Sequence, residues 1–168
     1  MKINKKKIWW GVLLATIIVA FFVYRYVDDR RIFAKLDQGG VVDYPVSARQ
    51  YEAYIKDLDA RYKNDRYGST TPEGTLSLFV EALKNEDVDL AAKYFVSEKQ
   101  VKMVEDLKAG VKSGGVKSLI GDLSKKKIKS ILSDYRVRFE TVDSNNNLEF
   151  SFDLRLNKFT DKWKIESL

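Results

Sequence analysis

The sequence predicts an α+β protein with an N-terminal transmembrane helix, followed by helices packed on one face of a curved antiparallel sheet of at least three strands. Three observations carry that prediction. A charge-free run, Ile8 to Tyr24, follows a cluster of lysines. Between Thr71 and Leu123 apolar residues recur at i, i+3, i+4 and i+7. From Tyr135 to the end the period becomes two.

The first element is read from IWWGVLLATIIVAFFVY, extended to Val27 across Arg25. About 20 residues at about 1.5 Å each match roughly 30 Å of hydrocarbon. Trp9 and Trp10 at one end and Tyr24 and Tyr26 at the other suit the headgroup level. A cleaved signal peptide is the competing reading, but Phe21, Phe22, Val23, Tyr24 and Arg25 offer no small-x-small cleavage site. Lys2, Lys5, Lys6 and Lys7 precede the run, whereas all 24 acidic residues lie beyond it. The net charge of +6 is therefore mainly a feature of the N-terminus. It favours a cytoplasmic N-terminus and an extracytoplasmic C-terminal domain in a single-pass protein of the plasma or inner membrane. The division expected is a basic tail over 1–7, a membrane helix over 8–27, a juxtamembrane linker and stalk over 28–70, and an α+β domain over 71–168.

In the stalk, RRIFAKLD extends the helix until Gly39 and Gly40, and the chain around Pro45 reads as extended. Ser47 and Gln50 form a capping-box pattern, opening a helix with Tyr51, Ile55, Leu58 and Tyr62 on one face. That face is either a short homodimer seam or a stripe docked on the following domain.

The domain opens at Thr70 to Pro72, where a hydroxyl cap and a first-turn proline precede Glu73. The helix places Leu76, Phe79, Val80 and Leu83 inward and ends near Asn85. Asp87 caps a second helix with Val88, Ala91, Ala92 and Phe95, and a third runs from Ser97 to about Ala109. Gly110, Gly114 and Gly115 interrupt the chain. A further helix carries Val116, Leu119, Ile120 and Leu123, but Ile128, Ile131 and Leu132 fall at another angle, which marks a kink or a new element near Lys125. Tyr135, Val137, Phe139 and Thr141 then alternate with charged residues. A turn at DSNNN follows, and Leu148, Phe150, Phe152, Leu154 and Leu156 alternate against Glu149, Ser151, Asp153, Arg155 and Asn157. After a turn at Thr160 and Asp161, Trp163 and Ile165 share the inward face.

The segment TPEGTLSLFVEALKNEDVDLAAKYFV, with a terminal hairpin closing on DKWKIESL, resembles the membrane-anchored branch of the nuclear-transport-factor-two-like superfamily over roughly 71–168. The resemblance implies a sheet wrapped on helices around a pocket. It departs over Glu98 to Ser113, where that superfamily places a β-hairpin and this chain reads as helix and glycine-rich loop. No catalytic motif of its enzymes can be placed on this sequence.

The chemistry available is narrow. With no Cys and no His, thiol nucleophiles, Ser-His-Asp hydrolysis and the usual transition-metal ligands are excluded. Glu149 and Asp153 are the best acid pair but lie on the polar face, where ion pairing is routine. Asp143 with Asn145, Asn146 and Asn147 matches a hairpin turn better than a calcium loop. No catalytic residue, cofactor or metal site is expected. Lys112, Lys117, Lys125, Lys126, Lys127 and Lys129, with Lys108, form a basic block facing only Asp122, suited to anionic lipid or an envelope polymer. Nucleic acid is not expected, because the block holds no stacking aromatics. The leading expectation is a non-enzymatic ligand- or protein-binding domain anchored to the bilayer. An envelope or secretion-complex scaffold comes second, and a cyclase- or isomerase-like enzyme third.

Overall fold

The computed structural model describes residues 5–37, 46–143, 145 and 147–168, with side chains described from Leu14 onward. The chain divides into two compact units, residues 1–54 and 55–168. In the first, helix α1 spans Lys5–Asp37. Among the described residues no helix is long and apolar enough to cross a membrane, which overturns the transmembrane helix expected over 8–27. The uncharged run ends at Arg25. The helix then continues unbroken through Arg25, Asp28, Asp29, Arg30 and Arg31. The side chains of Lys5 to Lys7, Trp9 and Trp10, and all of Lys2, Gly39, Gly40 and Pro45, lie outside the described residues.

Beyond Arg31 the first unit has a small core of its own. Ile32 is buried, the rings of Phe33 and Tyr54 meet edge to face at 5.6 Å, and the Tyr54 hydroxyl donates to Asp37 at 2.9 Å. Helix α2, Ala48–Asn64, starts in the predicted capping box: Ser47 N donates to Gln50 Oε1 at 3.1 Å and Gln50 N to Ser47 Oγ at 3.3 Å. Its residues from Ile55 onward belong to the second unit.

In that unit α3, Pro72–Lys84, begins where its sequence cap lies, with Thr71 Oγ1 accepting from Gly74 N at 3.1 Å. Helix α4, Val88–Lys93, is capped by Asp87, which accepts from Leu90 N at 2.9 Å. Helix α5 spans Gln100–Ser113, starting three residues later than the pattern predicts and running through Gly110. Gly114, at φ 78°, ends it and turns the chain into α6, Gly115–Ser124.

Four strands follow, β1 Lys127–Ser133, β2 Arg136–Val142, β3 Leu148–Asn157 and β4 Lys162–Ser167, in an antiparallel meander ordered β1-β2-β3-β4. The break near Lys125 is therefore a new strand. Thr141, Phe139 and Val137 of β2 lie opposite Lys127, Lys129 and Ile131 of β1. Phe152 and Leu154 lie opposite Phe139 and Val137 in turn, and Leu154 opposite Ile165. This inward face packs on α3 to α6 through Phe79, Leu83, Phe95, Phe152, Leu154 and Ile165, all at most 1% exposed. Burying each such side chain is worth about 1.5–3 kcal/mol. Phe79 meets Phe95 edge to face, and Phe139 stacks on Phe152.

The outer edge of β4 is also occupied. Val96 N donates to Ile165 O and Ile165 N to Tyr94 O, a short parallel bridge. Next to it Trp163 N donates to Ser69 O, and Trp163 O accepts from Thr75 Oγ1. Gly68, at φ +107°, allows this approach, since a Cβ there would strike the Trp163 carbonyl. Strand β1 is left as the edge bordered by no other described strand.

Candidate functional site

The polar face of the sheet is only partly in water. At β3 and β4 it is covered by the end of α2 and the chain after it. Lys164, opposite Arg155, is fully buried. Its ammonium lies 2.7 Å from Asp65 Oδ2 and donates to the carbonyls of Tyr67 and Lys93. Gln100 Nε2 donates to the same Asp65 oxygen at 3.0 Å. Burial lowers the Lys164 pKa, and the hydrogen bond and charge of Asp65 oppose that.

Beside this pair, Tyr62 donates to Glu98 and accepts from Arg155, whose Nη2 also donates to Glu98 at 2.6 Å. Asn157 Nδ2 donates to Tyr62 O at 2.8 Å. Burial, then the Glu98 carboxylate, raises the Tyr62 pKa. Burial pushes the Glu98 carboxyl up, but hydrogen bonds from Tyr62 and its own backbone, together with Arg155, hold it below its ordinary value. The row continues with Arg136 on Glu166 at 2.7 Å and Arg138 on both oxygens of Asp153 at 2.7 and 3.0 Å. Most of these groups answer one another, although Arg136 Nε and Glu166 Oε2 are buried without a hydrogen-bond partner, and the network reads as structure.

The inward face has the opposite defect: it is apolar, but open at β1. Ile131 is 76% exposed, so no helix among the described residues covers that end of the strand. A groove of about 400 Å³ runs between α3 and β1–β2. Its floor is Leu76, Val80, Leu123 and Phe139, and Glu73, Glu81, Lys84 and Lys127 stand around it. Glu73 is bound by Lys129 at 2.8 Å, which lowers the Glu73 pKa, and the Lys129 ammonium sits 5.9 Å from the centre of the Phe139 ring. Lys127 has no carboxylate within ion-pair distance among the described residues. Its Nζ donates to Lys125 O at 3.2 Å, and burial lowers its pKa.

The basic block is thus divided by the fold. Lys112 and Lys117 are exposed on α5 and α6, and Lys126 is exposed just before β1. Lys125 is held by Asp122 at 2.9 Å and Glu149 at 2.8 Å, Lys129 by Glu73, and Lys127 faces the groove. Lysines at inward positions of an edge strand also discourage edge-to-edge pairing. Of the stalk stripe, Tyr51 and Ile55 are exposed. Leu58 and Tyr62 instead line a second recess with Tyr135 and Leu156. Asp143 forms the predicted turn, its Oδ1 accepting from the backbone of Asn145 and Asn147, each at 2.8 Å; Asn146 lies outside the described residues.

Sequence reasoning missed the groove and the buried Lys164–Asp65 pair. Lys127, Lys129 and Ile131 alternate in KIKSILS, but with two lysines inward the alternation resembles no core strand. Comparison of the chain with protein-family models, with curated proteins and with solved structures finds no match.

Proposed function

We propose that the second unit is a non-enzymatic binding domain, and that its ligand lies in the groove between α3 and β1–β2. The observation that carries this reading is the recess of about 400 Å³ over Leu76, Val80, Leu123 and Phe139, formed where β1 turns lysines to the inward face and β2 and β3 turn Phe and Leu. A concave, mainly apolar recess with a few polar groups at its rim is the usual form of a small-ligand site. The rest of the inward face supports binding over catalysis. It is filled by Phe79, Phe95, Phe152 and Leu154, and the acid closest to Lys129, Glu73, is held in an ion pair. The layered helix-on-meander arrangement is also compatible with the nuclear-transport-factor-two-like resemblance, which remains a proposal of kinship.

The test is amide chemical-shift mapping of the full chain with decyl maltoside, a neutral amphiphile, below its micelle concentration. Saturable shifts at Leu76, Val80, Leu123 and Phe139 are expected. Val80→Trp, which fills the groove, should remove them while the rest of the spectrum keeps its dispersion. Shifts confined to other residues, or undiminished in Val80→Trp, would defeat the reading.

A further inference from the structure

The charged groups around this groove are not equally satisfied. Among the groups around it, Glu73 is neutralised by Lys129, whereas Lys127 is partly buried and, among the described residues, has only the Lys125 carbonyl at its ammonium. Lys125, the neighbouring cation, is taken up by Asp122 and Glu149 and makes no demand on a ligand. Lys84 stands along the same side of α3, and Glu81 is the one lining carboxylate for which no cation lies within ion-pair distance among the described residues. A partly desolvated ammonium with unused donors, at the rim of an apolar floor, is complementary to an acid group joined to an apolar body.

We propose that the occupant is a monomeric single-chain anionic amphiphile of the fatty-acid or alkyl-phosphate kind, its acid group at Lys127 and its chain along Leu76, Val80, Leu123 and Phe139. A free molecule fits better than a lipid still in a bilayer: the recess, about 400 Å³, lies between a helix and the sheet, at the small end of the range for small-molecule sites. This inference rests on the groove being the ligand site and adds the ligand's chemistry.

The test titrates the full chain calorimetrically with decyl phosphate and with decyl maltoside, both below their micelle concentrations, and with phosphatidylglycerol vesicles. Decyl phosphate should bind roughly ten-fold more tightly than the maltoside, the factor that about 1.4 kcal/mol represents. Lys127→Met should erase that preference and leave maltoside binding in place, Lys126→Met should preserve it, and Val80→Trp should weaken both ligands. Equal affinity for the two detergents in the wild type overturns the inference while leaving the groove reading intact, as does a phosphate preference that survives Lys127→Met. Binding to vesicles with none to monomeric decyl phosphate overturns it as well. Absence of both detergents from the groove removes the binding reading itself.

Discussion

Lys164 and Lys127 occupy opposite faces of one sheet, and burial lowers the pKa of both. Lys164 stands on the charged face yet is sealed, with Asp65 at 2.7 Å and two backbone carbonyls around its ammonium. Lys127 stands on the apolar face yet at an opening, with one carbonyl and no carboxylate at its ammonium among the described residues. The two faces have in effect exchanged roles, the polar one closed by α2 and the apolar one left open at the β1 edge. The difference teaches that burial of a charge does not mark a binding site. An ammonium has three donors and one charge, and where the protein answers all of them the residue is part of the fold. Where it answers only some, capacity is left for something else.

The largest effect that could break this contrast lies at the sealed end. Asp65→Asn leaves the Lys164 ammonium buried without a counter-charge, and removing one partner of a buried pair costs about 3–5 kcal/mol. Urea unfolding should show a loss of that size. Replacing both partners, as in Asp65→Leu with Lys164→Met, should recover more than half of it, because well-packed apolar side chains remove the desolvation penalty. A loss under 1 kcal/mol in Asp65→Asn would mean that the tyrosyl and lysyl carbonyls suffice, and Lys164 would no longer serve as the example of a fully answered charge.

A smaller effect is expected from the neighbouring Tyr62–Glu98–Arg155 cluster, read through pH. The folded pKa of Glu98 lies below its ordinary 4.5. The unfolded chain therefore takes up the proton first, and the stability from this group is present above 4.5 and lost as pH falls through the folded value. Tyr62 is shifted upward from 10.0, so the native state keeps a proton that the unfolded chain releases, and stability falls as pH climbs past about 10. Glu98→Gln should flatten the acid limb and Tyr62→Phe the alkaline limb of stability measured against pH, each costing about 1–3 kcal/mol at neutral pH. Unchanged limbs in both variants would show the cluster to be open to water.

How far the sequence could lead to this point depends on the range of the signal. The Thr71 cap of α3, the Asp87 cap of α4 and the alternation of β2 and β3 are local, and each appears where the residues place it. Strand β1 was visible only as a break near Lys125, because an edge strand with Lys127 and Lys129 inward lacks the apolar pattern of a core strand. The burial of Lys164 had no local signal at all, since its cover comes from Asp65 and Tyr67, roughly a hundred residues earlier. The membrane segment was read from composition, whereas among the described residues no helix is long and apolar enough to cross a membrane, and α1 carries on through the charges of Arg25, Asp28, Asp29, Arg30 and Arg31.

The smallest effect is also the most discriminating, because it concerns the stability of Lys127 alone. If its charge is largely unanswered, Lys127→Met removes a partly desolvated cation and places a flexible apolar side chain beside Leu76 and Phe139. The expected result is a gain of about 0.5 kcal/mol or no change in the urea midpoint at constant slope, the range of substitutions away from structural features. Lys126→Ala, at an exposed position beside it, sets the baseline. A loss above about 1 kcal/mol would place Lys127 with Lys164, as a lysine the fold itself requires, and the charge now assigned to a ligand would belong to the edge of the sheet.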